Sequence, residues 1–114
     1  MLPPPGSLDG VTVLDITQVM AGAYCGMLLA DLGADVIKVE RPGIGDITRW
    51  AGDGVDAFGS MNRNKRSIAL DYRSPEGAAT LRRLAERADV LVENHRPGTL
   101  AKHGLGPDDL RAVN

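Results

Sequence analysis

The chain has 114 residues, 43% hydrophobic and 25% charged, one domain's worth of ordinary globular composition that excludes a collagen-like repeat, a disordered tail and a disulfide scaffold. Thirteen basic against fifteen acidic side chains leave −2, and aromatics are only 4%, so neither a net cationic field nor a stacking surface for single-stranded nucleic acid is expected. The one cysteine, Cys25, cannot pair within the chain and fits a reducing, cytoplasmic setting.

Residues 1–7 begin Met1-Leu-Pro-Pro-Pro-Gly6, with no basic segment and no apolar core behind it, which predicts a flexible N-terminal arm and no signal peptide. The longest nearly uncharged stretch, Ile16–Ala30, contains Gly22 and Gly26 and meets Asp31, too short for a membrane span. Val11–Asp15 follows the turn Asp9-Gly10 and reads as a strand. Gly22–Leu32 has helix length and a glycine, Gly33, placed to end it. Asp31 is its only charge, which predicts a buried helix and a packed, inert Cys25 thiol. Val36–Val39 is a second strand, completing a β-α-β unit with parallel strands.

Residues 41–64 hold Pro42 and Gly43, Gly45, Gly52, Gly54 and Gly59, which reads as a long excursion with one short helix near Ile47–Trp50. Ser67–Leu70 is a third strand. Ser74-Pro75-Glu76 combines an N-cap, a first-turn proline and a first-turn acid, and starts a helix running to about Arg87. Its buried face is Leu81, Leu84, Ala85 and Ala88; Arg82, Arg83 and Glu86 face water. Asp89–Glu93 is a fourth strand, Asn94–Gly98 a loop, Leu100–His103 a helical turn and Pro107–Val113 a last short helix. The alternation predicts an α/β fold, a Rossmann-like parallel sheet with flanking helices over residues 8–114. Four strands are few for a doubly wound domain, so the chain reads as the N-terminal part of a larger fold.

The first strand-to-helix corner, Asp15–Gly22, lacks Gly-x-Gly-x-x-Gly and fails the dinucleotide fingerprint. Gly22 and Gly26 serve either a ligand at this corner or helix packing alone. Glu40-Arg41 closes the second strand where a ribose acid or a phosphate-binding arginine sits in nucleotide-binding sheets. An added phosphate on adenosine ribose occurs in NADP and in coenzyme A; the plainer reading is a surface arginine. Arg63-Asn64-Lys65-Arg66 is either a phosphate grip or a solvated basic turn. Arg41, Arg73 and Arg96 all follow predicted strands, so a parallel sheet gathers three cations on its carboxyl rim. Asn94 offers an amide to a polar ligand, whereas His95 and His103 read as exposed loop histidines. Two histidines and one cysteine at unrelated spacings make no metal site. No Ser/His/Asp elbow and no Walker motif occur.

Leu8-Asp-Gly-Val-Thr-Val-Leu-Asp15, Ala30-Asp-Leu-Gly-Ala-Asp-Val-Ile-Lys-Val-Glu-Arg41-Pro-Gly, Gly45-Asp, Asn62-Arg-Asn-Lys-Arg-Ser-Ile-Ala-Leu-Asp71, Asp89-Val-Leu-Val-Glu-Asn94 and Arg96-Pro-Gly98 together resemble the start of a family III CoA-transferase (the CaiB/BaiF family). Formyl-CoA transferase and carnitine CoA-transferase belong there, and α-methylacyl-CoA racemase is a close relative. The resemblance implies a chain several times longer, with a large Rossmann-like domain, a smaller one, and two copies interlocked as a homodimer. It implies coenzyme A or acyl-CoA as substrate, a carboxylic acid as acceptor, and no metal, nucleic acid or membrane. It also implies that Val19 and Ala21 line the pantetheine and Arg41 meets the adenosine phosphate. Leu70, Tyr72 and Arg73 would wall the adenine; Asn94, His95 and Arg96 would touch pantetheine and diphosphate; Lys102 would hold a phosphate. Met20 stands where formyl-CoA transferase has glutamine, and a thioether donates no hydrogen bond, which argues against formyl/oxalate specificity. The family's catalytic aspartate, which forms a mixed anhydride, matches no acid here, so no catalytic residue is expected in this chain. The alternatives are a racemase-like isomerase and a non-catalytic CoA-binding fragment; Asn62–Ile68 reads closer to the transferases.

Overall fold

The computed structural model describes residues 5–52 and 56–114. Four parallel strands, β1 Thr12–Asp15, β2 Asp35–Glu40, β3 Arg66–Ala69 and β4 Val90–Val92, form one sheet in the order β3-β2-β1-β4. Helices α1 Ala21–Asp31 and α2 Ala57–Asn62 carry the chain from β1 to β2 and from β2 to β3. Helix α3 Pro75–Ala85 returns it from β3 to β4, across the two central strands. The turn Ala101–His103 and helix α4 Pro107–Arg111 finish the chain. These elements match the expected α/β alternation. Ser74 caps α3 by accepting from Gly77 N–H at 3.0 Å, and a side chain at Gly77 would meet the Asp71 carbonyl. The helix ends at Ala85, two residues before the expected Arg87.

Strand alternation builds two different layers. Leu14, Ile16 and Val39 pack with Ala78, Leu81, Ala85 and Leu105 in an apolar core on the α3 side. The opposite face starts apolar, with Val13 and Val36 against Ala30 and Ala34, and becomes polar toward the strand ends. There Asp15, Thr17, Lys38 and Glu40 are all buried. α1 sits directly on this polar layer: a Cβ at Gly22 would lie 2.4 Å from Thr17 Cγ2, and one at Gly26 2.7 Å from Asp15 Oδ2. The two glycines therefore serve close packing.

Three expectations change. α1 is buried on one face only: Tyr24, Cys25, Leu28 and Leu32 are exposed, because nothing among the described residues covers the outer side of this surface helix. The excursion holds a second helix, α2, besides the short 3-10 turn Ile47–Trp50; Asp56 caps α2 by accepting from Gly59 N–H. Arg82 is half-buried and donates to the Gly104 and His103 carbonyls, tying α3 to the C-terminal turn. The N-terminal arm falls partly outside the described residues; within them, Gly6 packs against Leu32 and Gly33.

The basic run divides: Arg63, Asn64 and Arg66 are exposed, as a solvated turn requires, but are tied to acids, and Lys65 is not exposed. Arg63 and Asn64 both bind Asp31, and Arg66 pairs with Asp35. Lys65 points inward: its side chain is 2% exposed and its ammonium donates to Asp15 Oδ2 at 2.6 Å, Ala23 O at 2.7 Å and Asn62 Oδ1 at 2.8 Å. Burial pushes the Lys65 pKa down, partly offset by the Asp15 carboxylate. The excursion is anchored similarly. Glu40 accepts from Arg49 Nε at 2.7 Å and Nη2 at 2.8 Å, from Ser67 Oγ at 2.7 Å and from Asp46 N–H at 3.0 Å. The Arg49 guanidinium also lies 3.6 Å from the Phe58 ring centroid. Its bonds to Glu40 hold that carboxyl at about 2, against an ordinary 4.5.

Two predictions follow from these pairings. Lys65→Ala strands the buried Asp15 charge and should cost about 3–5 kcal/mol in urea unfolding, whereas Arg63→Ala should leave the midpoint nearly unchanged; equal midpoints for the two variants would contradict the inward pairing. The stabilisation from ionised Glu40 is complete above its ordinary pKa of 4.5 and is lost as pH falls toward about 2. The stability gap between wild type and Glu40→Gln should therefore close over that interval and stay constant above it. A gap independent of pH would refute the pairing.

Candidate functional site

The strand order reverses beside β1: the chain moves outward through β2 and β3, then returns to place β4 on the other side of β1. Ligands of open parallel sheets bind at such a switch point, beyond the carboxyl ends of the strands. The segments that leave β1 and β4 there are Ile16–Met20 and Glu93–Gly98.

Asn94 joins them. Its Oδ1 accepts from Gln18 N–H at 3.0 Å and its Nδ2 donates to Gln18 O at 2.8 Å. The amide expected to face a ligand is thus spent on the opposite wall of the crevice, which it holds at fixed width. His95 Nε2 lies 2.9 Å from Ile16 O and 3.2 Å from Tyr72 Oη. A carbonyl only accepts, so Nε2 carries the proton. His95 and His103 both meet the Tyr72 ring edge-on, with centroids 5.9 and 6.2 Å away. Neither is the exposed loop histidine expected: the Tyr72 ring, brought over the sheet by the β3–α3 corner, packs between them. Burial raises the Tyr72 pKa, and the Arg73 charge opposes that rise.

Glu40 is unavailable as a ribose acid, since Arg49 occupies both its oxygens. Arg41, one residue beyond β2, is exposed, as are Arg73 beyond β3, and Arg96 beyond β4 with Lys102 in the turn after it. Parallel pairing puts the first three on one rim. Among the described residues these four cations form no salt bridge, and neither do Arg82, Arg83 and Arg87 of the α3 segment, while Lys38, Arg49, Arg63, Lys65, Arg66 and Arg111 each have a carboxylate. Val19 is exposed just before α1, and Ala21 opens that helix, which has no side-chain cap. Leu70 packs half-buried against the α3-side core.

Two participants escaped the sequence reading. Lys38, in the middle of β2, and Asp46, just before the 3-10 turn, form an ion pair of 3.0 Å with each side chain 1% exposed. A lone lysine inside a strand covered on both faces was the available signal, since such a charge requires a partner. Lys38 also donates to Thr17 O at 3.0 Å. Burial opposes ionisation of Asp46, but bonds from Thr48 and the Lys38 charge hold its pKa below the usual value. A cavity of about 950 Å³ lies beside the outer edge of β4, between Leu91, His95, Arg96, Leu105 and Leu110. It adjoins the rim through His95 and Arg96. Among the described residues no group of three or more His, Cys, Asp or Glu side chains is placed to hold a metal, and no helix is long and apolar enough to cross a membrane.

Known proteins resemble this chain in sequence and in fold. Succinyl-CoA:mesaconate CoA-transferase of Haloarcula hispanica is 51% identical over 118 aligned residues, which cover 96% of this chain and 30% of that protein. Formyl-CoA:oxalate CoA-transferase of a Bradyrhizobium species is 49% identical over 113 residues, covering 95% of this chain and 27% of that protein. The crystal structure of a CaiB/BaiF family protein from Brucella suis superposes with a TM-score of 0.93 at 42% identity, over 97% of this chain and 32% of that one. The chain therefore spans about 30% of the length of the curated relatives it matches. With residues 8–114 matching the family described as CoA-transferase family III, the chain belongs to that family.

Proposed function

We propose that this chain forms the N-terminal, coenzyme A-binding part of a CoA-transferase that moves CoA between a thioester and a carboxylic acid. The observation that carries the reading is the place of the exposed cations Arg41, Arg73 and Arg96, each beyond the carboxyl end of a parallel strand. The cations of the excursion and the basic run are matched to carboxylates, while Arg41, Arg73, Arg96 and Lys102 are exposed and unmatched among the described residues. Unmatched guanidinium groups on the ligand-binding rim of a parallel sheet suit a ligand with several phosphates. Relatives named for succinyl-CoA and for formyl-CoA stand at 51% and 49% identity, and the coenzyme is what those names have in common.

In this reading Arg41 takes the 3′-phosphate of the adenosine ribose. Leu70, Tyr72 and Arg73 flank the adenine, Arg96 and Lys102 hold the diphosphate, and Val19 and Ala21 border the pantetheine arm. Asn94 and His95 act by shaping the walls, since their polar atoms bind Gln18 and Ile16. Acyl transfer through an aspartyl anhydride belongs to residues outside these 114, and the whole protein would work as an interlocked homodimer in the cytoplasm.

Calorimetric titration of the chain with CoA and with NADP tests this, because both carry a phosphorylated adenosine. Saturable heat with CoA and none with NADP is expected; the reverse pattern, or no CoA binding, would refute the reading. Arg41→Ala should weaken CoA by ~1.5–3 kcal/mol and dephospho-CoA much less. Equal losses for the two ligands would remove Arg41 from the phosphate site.

A further inference from the structure

The corner Thr17-Gln18-Val19 has its backbone held by side chains from four places in the chain. Thr17 N–H donates to Asp15 Oδ1 at 2.9 Å, and its carbonyl accepts from Lys38. Both backbone groups of Gln18 are bound by Asn94. Val19 N–H donates to Asp46 Oδ1, a long bond of 3.4 Å. Val19 has φ +67°, in the left-handed region, where a β-branched residue is strained. Among the described residues the only other non-glycine with positive φ is Asn64, a type that tolerates it. Asp46 itself is 2% exposed. Its Oδ1 also accepts from Thr48 N–H at 3.0 Å and Thr48 Oγ1 at 2.8 Å; its Oδ2 faces Lys38 Nζ, out of line for a hydrogen bond. A buried ion pair contributes little net stability compared with an apolar pair of the same volume, so its use here is better sought in geometry.

We propose that Asp46, seated on Lys38, is a positioning residue for the coenzyme pocket: it holds Val19 in the left-handed conformation and so fixes the corner along which the pantetheine arm lies. The pocket half of this proposal rests on the CoA-binding function above; the clamp half rests on the Val19–Asp46–Lys38 contacts. Without the clamp the corner relaxes, and only a fraction of molecules keeps the binding-competent backbone.

Asp46→Asn withdraws the charge that holds the side chain between Lys38 and Val19. Hydrogen exchange at the Val19 amide should accelerate about tenfold, and calorimetry should show CoA affinity reduced by a similar factor. Adding Val19→Gly should restore most of that affinity, because glycine takes positive φ without restraint. A purely structural Asp46, one that only caps the 3-10 turn, gives no such rescue, and that result overturns the proposal. Unchanged exchange at Val19 overturns it as well. Val19→Gly alone leaves the ion pair intact and should melt higher than wild type, through strain relief; a lower melting temperature overturns the strain argument even if Asp46→Asn does not fold. If wild type binds no CoA, the pocket half falls with the functional reading, and the exchange and melting results still decide the clamp.

Discussion

Asp15 ends β1 with a buried carboxylate, and the neighbouring elements are placed so that both its oxygens have partners. Its Oδ2 takes the buried Lys65 ammonium and its Oδ1 takes both donors of Thr17. An isolated charge in that position would cost several kcal/mol, so Lys65 must reach inward from beyond α2. That requirement passes the chain across the end of α1 and sets where β3 begins. It also explains why α1 carries glycine at positions 22 and 26, since any side chain there would intrude on Thr17, Asp15 or Lys65.

A second consequence is a sorting of positive charge. Lys38, Arg49 and Lys65 are structural, each matched to an acid within the sheet's polar layer or the excursion. The exposed cations beyond the strand ends form no salt bridge among the described residues. A side chain beneath a helix must be neutralised internally, whereas one on the rim can stay hydrated.

Much of this architecture could be read before any coordinates. The strands, α1 with its terminal glycine, the 3-10 turn and the Ser74 cap rest on local signals, and local signals survive in a linear string. That Arg41, Arg73 and Arg96 follow carboxyl ends of strands on one side of the sheet was legible because parallel topology alone dictates it. Helix α2 was not, since Ala57–Asn62 is short, contains Gly59 and has no apolar period. The fate of the basic run was hidden for a different reason: Lys65 and Asp15 are 50 residues apart, and nothing local distinguishes an inward lysine from its exposed neighbours. Asn94 and His95 read in the sequence as ligand contacts; in the structure their polar atoms meet the backbone of Gln18 and Ile16. Both bind backbone carbonyl or amide groups, which leave no mark in the side-chain sequence.

The order β3-β2-β1-β4 has an entropic side. β1 meets β2 across 23 positions, Thr12 with Asp35, but meets β4 across 77, Val13 with Val90. Loop-closure cost grows with the logarithm of length, so the second pairing is more expensive by about 1 kcal/mol. The crevice between β1 and β4 is therefore the seam of the molecule, zipped over the longest span of chain. Any ligand that bridges it does more than fill a groove: by mass action it secures the joint that the polypeptide finds hardest to keep shut.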